Sequence, residues 1–102
     1  MKYQEPIYER LFSRMTPAAT YYSFREDGDQ SLVTLDGTTG PVPVNKTAAE
    51  VLQLCNGSNT VVQIYETMKH RYDSVSSERL FYDVTHCIRD LEKIKAISIQ
   101  YA

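Results

Sequence analysis

The apolar periodicity of this 102-residue chain changes once, between Val44 and Thr47, and that change restricts the fold more than any other feature. Before it, short apolar runs alternate and are separated by turn residues, the period of two that belongs to strands; after it, apolar residues recur at helical spacing. Tyr21 to Arg25 reads as a first strand rich in residues that suit a pleated surface. Asp27-Gly28 is the strongest hairpin signal in the chain and leads to a second strand at Ser31 to Asp36, with Val33 and Leu35 on one face and Leu32 and Thr34 on the other. A second turn at Asp36-Gly37-Thr38-Thr39-Gly40 opens a short third strand, Pro41-Val42-Pro43-Val44.

Three helices follow. Thr47 and Glu50 have the spacing of a capping box, and Ala48, Val51, Leu52 and Cys55 share a face ahead of Gly57, a residue suited to a left-handed helix stop. Thr60 and Gln63 form a second such box before the stripe Val61, Ile64, Tyr65, Met68 and Tyr72. Ser76 caps the third helix, with Val75 and Leu80 placed to pack across its first turn. Its apolar side is Leu80, Phe81, Val84, Cys87, Ile88, Leu91 and Ile94, running to about Lys95. The tail from Ala96 to Tyr101 alternates weakly and is expected to form a short strand. The fold class is therefore α+β and winged helix-turn-helix-like, a three-stranded antiparallel meander followed by three helices. Residues 1–19 are expected to be an N-terminal extension and residues 20–102 the domain. In the extension Ile7, Tyr8, Leu11, Phe12 and Met15 make the stripe of a short amphipathic helix, interrupted by Thr16-Pro17-Ala18-Ala19-Thr20 and dispensable for folding.

Several function classes are disfavoured. Eleven Lys and Arg against thirteen Asp and Glu give a net charge of -2, whereas nucleic-acid binders concentrate basic charge. No apolar run approaches the roughly 18 residues of a membrane span, so a cytoplasmic protein without a membrane partner is expected. Cys55 and Cys87 lie on helix stripes and read as reduced core thiols; neither has the spacing of a metal ligand set. His70 and His86 fall on different helices, flanked by ordinary charges. With no nucleophile, base cluster, metal site or phosphate loop, no catalytic residue and no cofactor is assigned, and the chain is expected not to be an enzyme.

Three stretches carry a family resemblance: Val44-Asn45-x-Thr47-Ala48-Ala49-x-x-Leu52-x-Leu54-Cys55-Asn56-Gly57, then Thr60-Val61-x-x-Ile64 with Tyr72, then Asp83-Val84-x-x-Cys87-Ile88-x-x-Leu91. Over Thr20 to Ile99 the chain resembles the PqqD family, also called RiPP recognition elements. The resemblance implies a non-catalytic domain that binds the leader segment of a ribosomally made precursor peptide as an added strand and presents it to a modifying enzyme, commonly a radical S-adenosylmethionine enzyme. It places the peptide-binding groove between Pro41, Val42, Pro43 and Val44 of the third strand and Phe81, Thr85 and Ile88 on a flank of the third helix. Where the family ends its last helix with Gly, this chain has Lys95-Ala96. The alternatives are a DNA-binding winged helix and a scaffold subunit that forms a homodimer through its N-terminal segment.

Overall fold

The computed structural model describes residues 12–20, 22–35 and 40–101. Five strands and three helices follow in order: β1 (Met15–Ala19), β2 (Tyr22–Asp27), β3 (Gln30–Leu35), β4 (Val42–Asn45), α1 (Lys46–Leu54), α2 (Val61–Arg71), α3 (Ser77–Lys93) and β5 (Ile97–Tyr101). The expected meander is present as the antiparallel order β2-β3-β4, and the tail strand is present as β5. One strand was not expected. Met15–Ala19, read as the end of a helix and its interruption, is β1, and it pairs with β5 in a separate two-stranded antiparallel sheet. The remainder of the expected N-terminal helix, with Ile7, Tyr8 and Leu11, lies outside the described residues.

The hairpin turn sits one position later than Asp27-Gly28 suggests. Asp27 and Gln30 pair, so Gly28 and Asp29 form the turn. Gly28 has φ +64 and Asp29 does not share the left-handed region, which fits a type II′ turn with Gly at its first central position.

The cap of α1 also moves. Asn45, the last residue of β4, accepts the Ala48 N–H on its side-chain oxygen at 2.8 Å, so the helix starts before Thr47. Asn is among the strongest N-caps, and it stands where the strand must already turn into the helix. Glu50, freed from a capping role, accepts from the Tyr72 hydroxyl at 2.7 Å and ties α1 to α2. That hydrogen bond to a carboxylate raises the Tyr72 pKa. The Thr60 and Gln63 box is complete, with Thr60 N–H donating to Gln63 Oε1 at 2.8 Å and Gln63 N–H to Thr60 Oγ1 at 3.2 Å. Ser76 caps α3 through the Arg79 N–H at 3.2 Å.

Helix α3 stops at Lys93 in a Schellman arrangement. Ala96 N–H donates to Leu91 C=O at 2.9 Å and Lys95 N–H to Glu92 C=O at 3.0 Å, with Lys95 at φ +65. Ala96 and Leu91, the positions at which an apolar contact frequently accompanies such a stop, are both buried. Thr20 closes the same corner, its hydroxyl 3.0 Å from the carbonyls of Lys95 and Ala96.

The core gathers Val33 and Leu35 from β3, Val51, Leu52 and Cys55 around α1, Val61, Ile64, Tyr65 and Met68 from α2, and Leu80, Phe81, Val84, Ile88 and Leu91 from α3. These are the stripes read from the sequence with two differences: Ala49 rather than Ala48 is the buried alanine of α1, and Ile94, which follows the end of α3, is 41% exposed. Both cysteines are free; Cys55 is buried and Cys87 half-buried against the core. Among the described residues no cluster of His, Cys, Asp and Glu could hold a metal ion, and no helix is long and apolar enough to cross a membrane.

Candidate functional site

The first surface is the outer edge of β4. Because Gly28 and Asp29 form a two-residue turn, Asp27 and Gln30 exchange hydrogen bonds across it. Backbone groups of successive residues then point to alternate edges, so Ser31 and Val33 of β3 turn toward β4 and their partners Val44 and Val42 turn back toward β3. Pro43 lies between these two and turns to the outer edge, with which nothing pairs among the described residues, as does Pro41 two positions upstream. From Pro41 to Pro43 that edge offers carbonyl oxygens and no N–H. Side chains alternate on the perpendicular axis: Val42 and Val44 are half-buried, with Val44 packed on the core, while Pro41 and Pro43 are exposed. Asn45 ends the edge by capping α1, the helix on which β3 and β4 pack.

The second surface is a flank of α3. Phe81 is only 2% exposed, and its ring meets Tyr65 edge-on at 5.6 Å and Phe12 at 5.4 Å. It is a core residue whose outer side is covered by Phe12. Thr85, one turn on, is half-buried with its hydroxyl donating back to the Phe81 carbonyl at 2.9 Å. Ile88 is buried. Thr85 and Ile88 line an apolar groove of about 330 Å³ together with Phe12, Met15, Val61 and Ile99, rimmed by His86, Arg89 and Glu92. The structure thus joins Thr85 and Ile88 to residues of β1 and β5, and Val42 and Val44 to the α1 side of the molecule.

Sequence reasoning missed Phe12, Met15 and Ile99 as groove residues. Their signal was present in the apolar stripe before Thr16 and in the alternation after Ala96, but neither shows that the two segments pair. At the rim, His86 stacks on exposed Tyr82 with ring centroids 4.0 Å apart. His70 is exposed at the end of α2, where a basic residue suits the negative end of the helix dipole.

Burial pushes the Cys55 thiol up to about 12, and burial followed by the carboxylates of Asp83 and Asp90 pushes Cys87 up to about 11. Both therefore stay protonated at neutral pH and are poor nucleophiles. Cys55 uses its proton to donate to the Val51 carbonyl at 3.2 Å.

Comparison with curated proteins and with solved structures finds no match. A family profile does match: that of coenzyme PQQ synthesis protein D (PqqD), over residues 31–97. The matched segment begins in β3, contains β4 and all three helices, and covers more than half of the chain. This chain accordingly belongs to the PqqD family, the RiPP recognition elements, and is an accessory protein of that kind of biosynthesis.

Proposed function

We propose that this chain is a non-catalytic peptide chaperone that binds the leader of a ribosomally made precursor peptide along the open edge of β4 and presents it to a modifying enzyme, a radical S-adenosylmethionine enzyme being the expected partner. The observation that carries the reading is that open edge, lying inside the family-matched segment. Strand addition draws affinity from main-chain hydrogen bonds and selectivity from side-chain pockets. Here the exchange is one-sided: the leader donates N–H groups to the carbonyls of Pro41 and Pro43 and receives nothing back from those two residues. Thr85, half-buried on α3, is the groove residue of the expected set that keeps a partly exposed side chain for such a contact.

Calorimetry tests this with synthetic leader segments of any short peptide found encoded near this chain's gene. N-methylating the leader amides in one alternating set should weaken binding about tenfold or more, at roughly 1 kcal/mol for each lost hydrogen bond, while the other set has little effect. Pro43→Ala should preserve or modestly tighten binding, because it restores a donor to the edge. Equal tolerance of both N-methylated sets would rule out strand addition. Turnover of the peptide by the isolated chain would rule out the non-catalytic role.

A further inference from the structure

The second sheet lies almost wholly outside the family-matched segment, which ends at Ile97. Its hydrogen bonding fixes the direction of every backbone group in it. Gly57 N–H donates to Pro17 C=O at 3.0 Å and Ala19 N–H donates to Cys55 C=O at 2.7 Å, so Pro17 and Ala19 turn toward residues 55–57. Thr16 and Ala18 must then turn toward β5, where their partners are Gln100 and Ser98. Thr20 N–H, donating to Ala96 C=O at 2.9 Å, continues the alternation. It follows that Ile97, Ile99 and Tyr101 direct their N–H and C=O groups to the outer edge of β5. Among the described residues nothing pairs with that edge.

The three outer edges of the two sheets differ in how they are protected. Exposed edges usually carry charge, proline or a bulge that discourages another strand from adding. On β2, Arg25 and Glu26 are exposed charges, and on β4 Pro43 removes a donor. On β5, Ile97-Ser98-Ile99-Gln100-Tyr101 has no charge, no proline and no glycine, and all three outward N–H groups are intact.

We infer that β5 is a self-association edge, at which two copies of this chain join in antiparallel register about a two-fold axis through Ile99. The strand is self-complementary about that residue. Ile99 faces its own copy, Ile97 faces Tyr101 of the partner subunit, and Ser98 faces Gln100 of the partner subunit. Apolar residues meet apolar ones on one face and polar residues meet polar ones on the other, since directly opposite residues of an antiparallel pair share a face. The outward groups of Ile97, Ile99 and Tyr101 are then all satisfied reciprocally, joining the two β1-β5 sheets into one. Tyr101, 66% exposed in the single chain, gains an apolar neighbour. A five-residue strand pair buries less than the roughly 1,200 Å² of a standard interface, so the dimer forms in a concentration-dependent way.

Two double variants of the full chain separate this from general stickiness, because Ser98 and Gln100 are exposed and their neighbours on β1, Ala18 and Thr16, are uncharged. S98K/Q100K places lysine opposite lysine twice across the axis; S98K/Q100E places lysine opposite glutamate. Sedimentation velocity from roughly micromolar to submillimolar concentration should show a monomer–dimer equilibrium for the unmodified chain. The Lys/Lys variant should dissociate about tenfold more readily or worse, and the Lys/Glu variant should match or exceed the unmodified chain. Thermal unfolding at dilution shows whether all three monomers are folded alike. A chain that stays monomeric throughout the range, and so leaves the edge to some other strand, overturns the inference. So does a Lys/Lys variant that associates as well as the unmodified chain, or a Lys/Glu variant that loses association to the same degree.

Discussion

Lys95 occupies a backbone conformation that side chains with a Cβ adopt at a cost. Its φ of +65 is the left-handed value that the Schellman stop of α3 requires, at the position where the resemblance leads one to expect Gly. Lys95→Gly should therefore stabilise the chain by about 0.5–1 kcal/mol, the relief of strain being partly offset by the greater freedom of glycine in the unfolded chain, and raise the melting temperature by a few degrees. The two thiols give a second expectation. Their folded-state pKa values, about 12 for Cys55 and about 11 for Cys87, lie above the ordinary value of 9.0. The unfolded chain consequently releases these protons first as pH rises, and the folded state binds more protons than the unfolded one between pH 9 and those values. Stability should be insensitive to the thiols below pH 9 and should fall above it. Denaturant titrations at pH 7.5, 9 and 10.5 check this, and Cys55→Ala should flatten the alkaline decline.

At the scale of elements, the helix starts were the most legible part of the sequence, because a capping signal is local. Thr60 with Gln63 and Ser76 with its first-turn pair are used as the spacing indicates. Thr60→Ala should cost about 1 kcal/mol, and adding Gln63→Ala should cost less than its separate effect, since the two side chains satisfy each other's backbone. Asn45 displaced Thr47 because the strand before it fixes where the chain must turn, which a cap-by-cap reading does not include. The meander and most of each helix stripe were legible for the same reason as the caps: their periods are written in consecutive residues; Ile94 leaves its stripe because α3 has already stopped at Lys93. The β1-β5 pairing was not, since no local pattern states which distant segment Met15–Ala19 will meet. Of the candidate site, the two prolines could be placed two apart on one edge from sequence, but deciding that the edge is open required the register of the hairpin. Phe81, read as a groove residue, is enclosed by Tyr65 and Phe12. Phe81→Ala should then lower stability by roughly 3–5 kcal/mol and is unsuited to probing binding. Removing residues 1–15 takes Phe12 and Met15 off the core and groove, so its melting temperature should fall even where the remaining chain folds.

For the whole molecule, a net charge of -2 leaves no broad basic field. Random duplex DNA should show no salt-dependent binding at about 0.1 M salt, where phosphate contacts would otherwise give a steep dependence; a measurable salt slope would revive the winged-helix alternative. A dimer joined through uncharged β5 should likewise respond weakly to salt. The corner where Thr20 reaches the carbonyl of Lys95, 75 positions away, also sets an order of events during synthesis. The β2-β3-β4 meander and the helices close by neighbouring contacts and can begin to form on a growing chain, whereas β1 emerges first and its partner β5 last. At about 5–20 residues per second the nascent chain spends several seconds with β1 unclaimed. A ribosome-stalled chain in which a flexible linker long enough to span the exit tunnel follows Lys93 should accordingly show protected helices in hydrogen exchange and an unprotected β1, with protection of both strands appearing together once the linker follows Tyr101 instead.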